Sequence, residues 1–201
     1  CDAAFVCDTN MWDPKTPAIT TRLRGMVRET RLSATDLILP IFVEEGISAP
    51  VPIASMPGVV RHTEAGLGDA VACAWEAGIR AVILFGVSRN KDDVGSDTWN
   101  PEGLLARMVR SARAAAPDMV VISDNCFCEY TNHGHCGVIC DHDVDNDKTL
   151  INLQKQVVVA AKAGVDMIAP SGMMDGMIAA IREALDNNGF EHIPVMSYST
   201  K

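Results

Sequence analysis

The stretch "EAGIRAVILFGVS" (76–88) decides the fold class. It reads as the end of a helix, an Ala-Gly stop, an unbroken apolar run and a turn of small residues. The run "AVILF" has no polar alternation, so it predicts a strand covered on both faces, as in a parallel sheet. "KAGVDMIAPSGMM" (162–174) repeats the pattern weakly. Outward from this pair the chain alternates strand and helix. "DLILPIFV" (36–43), "IRAVILFG" (79–86), "MVVISD" (119–124), "VDMIAPSG" (165–172) and "IPVMSYST" (193–200) read as five strands.

Between the strands lie amphipathic segments. "TEAGLGDAVACAWEAG" (63–78) puts Leu67, Val71, Ala74 and Trp75 on one helical face and stops at Gly78. In "NPEGLLARMVRSARAAAP" (100–117), Asn100 reads as the cap and Pro101 as the first helical position. "KTLINLQKQVVVAAKAG" (148–164) and "MIAAIREALDNNG" (177–189) complete the set. Alternating strands and helices predict an α/β protein with a parallel sheet, either a (β/α)8 barrel or an open doubly wound sheet. No G-x-G-x-x-G follows a strand, which weakens the dinucleotide-binding version. Five strands fall short of a closed barrel, so a partial one is expected.

The 201 residues are 48% hydrophobic and 21% charged, ordinary for a globular protein. Seventeen basic against 26 acidic side chains give a formal charge of −9, which argues against a nucleic-acid partner. The arginine groups Arg22/Arg24/Arg28 and Arg107/Arg110/Arg113 read as solvated helix faces. No run is long enough to span a membrane, and no secretory leader opens the sequence, so a cytoplasmic protein is expected. Residues 1–21 show no sustained period and read as an N-terminal arm, with 22–201 as the catalytic domain.

Chemistry concentrates where strands end, the functional face of such barrels. Asp124, Ser171 and Lys201 all fall there. After Asp124 comes "NCFCEYTNHGHCGVIC" (125–140), which crowds four of the seven cysteines and two histidines together. Cys126, Cys128 and Cys136 put three thiols within reach of one soft ion, zinc above all. From spacing alone, three readings stay open. They are a catalytic metal with a free fourth position, a structural zinc completed by Cys140, His133 or His135, and unligated thiols. A lysine in apolar surroundings beside a Lewis acid would suit imine-forming condensation chemistry, as in an aldolase.

"MVRETRLSATDLILPIFVEEG", "FGVSRNKDDVGSDTWNPEG", "SDNCFCEYTNHGHCGVIC", "APSGMMDG" and "MSYSTK" occur in one order, and together they resemble the porphobilinogen synthase (δ-aminolevulinic acid dehydratase) family. The resemblance runs from about residue 22 to the last residue. It implies a (β/α)8 barrel that condenses two 5-aminolevulinate molecules into porphobilinogen, in tetrapyrrole and haem synthesis. It also implies Zn2+ on Cys126, Cys128 and Cys136, since the magnesium-using branch carries aspartates there. Asp124 and Ser171 match active-site positions, and Lys201 matches the first of two Schiff-base lysines. The family's homo-octamer, with an arm wrapped around a neighbour, would suit residues 1–21. The family's C-terminal third, with its second lysine and carboxylate-gripping arginines, has no counterpart in this sequence, so the chain alone is expected to be inactive. Gly172 stands where many relatives carry aspartate. A zinc-stapled interaction domain and a different Schiff-base aldolase are the alternatives.

Overall fold

A computed structural model describes residues 25–26 and 28–198. The expected arm, 1–21, and Lys201 lie outside the described residues. The chain divides into two compact units, Cys1–Ser33 and Ala34–Lys201. The second unit is an α/β body built on one main sheet of six strands.

Four strands form the centre of that sheet. They are β1 (Ile38–Glu44), β4 (Ala81–Val87), β5 (Val120–Asp124) and β8 (Met167–Ala169), side by side in that order and all parallel. The apolar runs read as strands at 36–43, 79–86, 119–124 and 165–172 therefore form, with later starts and with β1 and β4 running one residue further. The expected fifth strand is shorter. Val195 bridges Ile168 in parallel, Ile168 N donates to Pro194 O at 3.1 Å and Met196 N donates to Ile168 O at 2.8 Å. Sequence reading missed β2 (Val51–Pro52) and β3 (Val60–His62), a short antiparallel pair that joins the outer edge of β1 in parallel. Prolines and a glycine interrupt "VPIASMPGVVRH", so no apolar period marks it. A separate two-residue ladder, β6 (Ile139–Cys140) with β7 (Asp143–Val144), closes the far end of the cysteine-rich segment.

Helices α1 (Leu67–Glu76), α2 (Leu104–Ala115), α3 (Asn146–Ala163) and α4 (Met177–Asp186) follow β3, β4, β7 and β8 in sequence. The helix expected to begin at Pro101, capped by Asn100, starts three residues later, at Leu104. Asn100 Oδ1 accepts from Glu102 N at 3.0 Å in a turn, and Gly103 precedes the first helical residue. A Cβ on Gly103 would lie 2.1 Å from Asp97 O, so the entry to α2 has no room for a side chain. Helix α3 is capped by Asp145, whose side chain accepts from Lys148 N, and ends at Gly164 in the left-handed region.

Alternation along each strand sorts its side chains between two faces. Val82, Leu84, Val121 and Ile168 point into the helix layer and join the main core with Leu67, Leu105, Met108, Leu153, Val157 and Ile181. Each such side chain stabilises the fold by about 1.5–3 kcal/mol. Ile83, Ile122 and Ala169 form a second, smaller cluster on the other face, flanked by Phe85, Met167 and Met196. That face bounds a hollow of about 470 Å3 and corresponds to a barrel interior. Among the described residues no helix is long and apolar enough to cross a membrane.

Candidate metal centre

All four parallel strands aim their C-terminal ends at the same side of the sheet, and the loops there carry the polar chemistry. Asp124 ends β5 and sits two residues from Ile122, so it belongs to the interior face. Its register partner on β8 is Ala169, which places Ser171 just beyond on the adjacent strand. Of the sequence-predicted residues, the structure brings the three cysteines into contact and sets Asp124 and Ser171 on neighbouring strand ends.

The loop after β5 folds back on itself by short steps. Asn125 N donates to Ala169 O at 3.0 Å, fixing the exit from the strand. Phe127 O accepts from both Tyr130 N and Thr131 N at 2.9 Å, which winds 127–131 into one tight turn. Gly134 supplies a left-handed step (φ 73°), and Thr131 Oγ1 donates to His135 O at 2.9 Å. Cys136 thereby returns to Cys126. The sulfurs lie 2.9 Å (Cys126–Cys128), 3.3 Å (Cys126–Cys136) and 2.9 Å (Cys128–Cys136) apart. Cys126 is buried and the other two are half-buried.

Hydrogen bonding to Cys126, then to Cys136, then burial, push the Cys128 thiol pKa far up. Burial, followed by the charge of Cys126, also raises Glu129. Three thiols this close cannot ionise together unless a cation stands among them, and a divalent ion reverses the balance. The donor set fits one. Zinc–sulfur bonds of about 2.3 Å at tetrahedral angles separate thiolates by about 3.8 Å, so the triangle need open by less than about 1 Å. Three soft donors leave a fourth tetrahedral position.

The other candidate ligands are elsewhere. Cys140 is exposed, with Lys148 Nζ 3.6 Å from its sulfur. His133 Nε2 lies 3.1 Å from Asp93 O, and its Nδ1 accepts from His135 N at 3.1 Å. Among the described residues, the three cysteines are the one group whose ligand atoms converge.

Around this loop stands a polar frame that sequence reading missed. Ser88 N donates to Glu129 O at 3.3 Å, and Asn132 N to Asp92 O at 3.0 Å, so the loop after β4 is stitched to the cysteine loop. Asp92 shapes its own loop by accepting from Val94 N and Ser96 N, both at 3.0 Å. Glu45, just past β1, accepts from Arg89 N and Arg107 Nη2 at 2.8 Å, and Arg107 Nε also reaches Glu64 at 2.8 Å. Arg107, Arg110 and Arg113 thus pair with Glu45 and Glu64, Glu102, and Asp166 respectively. Arg107 and Arg113 are tethers to distant segments that no local pattern reveals, whereas the Arg110–Glu102 pair is local and exposed, as a solvated face would be. Tyr130 is buried beneath the loop, and its phenol pKa is raised well above normal by burial and then by surrounding carboxylates, Asp97 first.

A model of the family described as delta-aminolevulinic acid dehydratase matches residues 14–201. The chain belongs to that family. It is 55% identical over 187 residues to the delta-aminolevulinic acid dehydratase of Escherichia coli K12, covering 93% of this chain and 56% of that one. The Archaeoglobus fulgidus enzyme of the same name is 49% identical over 179 residues, covering 89% of this chain and 56% of that one. The chain thus spans little more than half the length of these relatives. Among solved structures, the delta-aminolevulinic acid dehydratase of Toxoplasma gondii ME49, in complex with the reaction product porphobilinogen, superposes with a TM-score of 0.85 at 35% identity. The match covers 94% of this chain and 55% of that one. The parallel sheet is accordingly part of a delta-aminolevulinic acid dehydratase (β/α)8 barrel.

Proposed function

We propose that the protein carrying these residues condenses two molecules of 5-aminolevulinate into porphobilinogen, with loss of water. The observation that carries this reading is the Cys126–Cys128–Cys136 triangle standing two residues beyond Asp124 at the C-terminal end of a barrel strand. In this reading the ion is zinc, which when bound polarises a substrate carbonyl as a Lewis acid. The Lys201 amine attacks a substrate ketone to form an imine and release water. Asp124 moves a proton at the reacting carbon, and the Ser171 hydroxyl, on the next strand, contacts the same substrate. In the same reading residues 22–201 belong to the catalytic domain, the protein assembles as a homo-octamer, and it works in the cytoplasm.

Borohydride reduction in the presence of 5-aminolevulinate tests the reading. A covalent adduct on Lys201, found by peptide mass mapping and blocked by Lys201→Ala, is expected. Equal trapping of unrelated keto acids would point instead to a different aldolase.

A further inference from the structure

One face of α3 carries a line of buried polar side chains where an apolar stripe would ordinarily run. Thr149, Asn152 and Gln156, spaced three and four apart, are 1%, 9% and 0% exposed. Leu153, Val157 and Ala160 on the same helix pack in the main core. Buried amides and hydroxyls are costly without partners, so each should have a use. Asn152 Oδ1 accepts from Lys155 Nζ at 3.1 Å, within the helix itself. The other two reach the cysteine loop.

Gln156 Nε2 donates to the carbonyl oxygen of Cys126 at 3.0 Å. Its Oε1 is buried with no hydrogen-bond partner among the described residues. One half of the amide is therefore a burden on stability, and the half with a purpose is spent on a metal-ligand candidate. Thr149 Oγ1 accepts from Val138 N at 3.0 Å while donating to Asp145 O at 2.6 Å. A Cβ on Gly137 would lie 2.4 Å from Thr149 Oγ1, so the backbone next to Cys136 rests directly on this threonine. The two contacts hold the ends of the ligand loop, one at Cys126 and one immediately past Cys136. Both originate on one rigid helix, seven residues or about 10 Å apart along its axis.

We propose that Gln156 and Thr149 are positioning residues of the metal centre, a two-point brace that fixes the spacing of Cys126 and Cys136 before an ion arrives. The inference rests on the reading of the triangle as a metal site. The brace acts through the backbone: it touches neither the sulfurs nor substrate, and it lowers the ordering a loop must undergo on ligation. Outer contacts of this kind change metal affinity by about 10- to 100-fold when removed.

Cobalt(II) is the probe, titrated into the full-length protein while the sulfur-to-cobalt charge-transfer absorption is followed. Gln156→Met keeps the side chain's length and removes both the donor and the orphaned oxygen. It is expected to weaken cobalt binding about 10- to 100-fold and to alter the band, with the melting temperature of the metal-free protein unchanged or raised. Thr149→Val should weaken binding as well, and Thr149→Ser, which keeps the hydroxyl, should bind like the wild type. That second pair decides the matter if Gln156→Met does not fold. Wild-type cobalt affinity and spectrum in the braceless variants, with or without a drop in melting temperature, would overturn the inference. Cys126→Ser separates this from the parent reading: a spectrum unchanged by that substitution would place the ion elsewhere and remove the metal centre together with its brace.

Discussion

The loops after β5 and β8 leave adjacent strands at the same end of one sheet, yet they are built differently. Residues 125–138 are tied to β8, to α3 and to the loop after β4, through Asn125, Gln156, Thr149, Ser88 and Asp92. Residues 170–176 have one side-chain tether described, the pair of bonds between Asn146 and Asp175. Met173 there is 72% exposed, and the half-buried Ser171 hydroxyl makes no hydrogen bond to any described residue. Under the proposed function the contrast separates two jobs. Metal ligands must converge to within fractions of an ångström before the ion binds, so their loop is rigid by construction. A residue that meets a substrate gains its partner from that substrate, and its loop can stay open until then.

The largest effect should come from the triangle itself. Cys128→Ala removes the sulfur that lies 2.9 Å from both others, and zinc retained after gel filtration should fall from one ion per chain to none. If the fold survives that loss, with an unchanged far-ultraviolet circular dichroism spectrum, the metal is not a structural staple.

Next is the support beneath the loop. A Cβ on Gly86 would meet Tyr130 Oη and Met108 Cε, each at 2.6 Å. Gly86→Ala should therefore destabilise by about 1–3 kcal/mol through overpacking, measured by urea denaturation. A neutral result would show that Tyr130 yields easily and that the loop after β5 is less rigid than the comparison requires.

Glu45 gives a pH-dependent version of the same test. Burial alone would raise its pKa, but the Arg89 N–H, Arg107 and Ser88 outweigh it and hold the carboxyl below its usual 4.5. The folded state thus favours the charged form, and the contribution is present above the unfolded value and lost as pH falls through the folded one. Glu45→Gln should cost about 1–3 kcal/mol near neutrality and nothing once the pH is well below 4.5. A penalty that persists in acid would assign the effect to packing rather than to charge.

The smallest effect on stability belongs to the other loop. Ser171→Ala should change the unfolding free energy by less than about 0.5 kcal/mol, while activity of the full-length enzyme falls. A large loss of stability would make Ser171 a structural residue and erase the difference between the loops.

Much of this was legible in the sequence for a physical reason. Buried parallel strands must be apolar on both faces, so "AVILF" and "MVVIS" announce themselves, and ligands for one ion must lie close in a short loop. The β2–β3 pair, the late start of α2 and the partners of Glu45, Arg107 and Gln156 were not legible. The first two are short-range features without an apolar period, while the partners depend on contacts that local sequence does not show: Arg107 with Glu45 spans 62 residues, and Gln156 with Cys126 spans 30. A lone buried glutamine in an amphipathic helix looks like any surface glutamine until the fold places a carbonyl against it.

Zinc K-edge X-ray absorption on the metal-loaded protein tests the central claim most directly. The account predicts three sulfur scatterers at about 2.3 Å and one oxygen or nitrogen at about 2.0–2.2 Å. Four sulfurs would bring in Cys140 and make the site a closed structural clamp, and a shell of light atoms alone would contradict the cysteine triangle altogether.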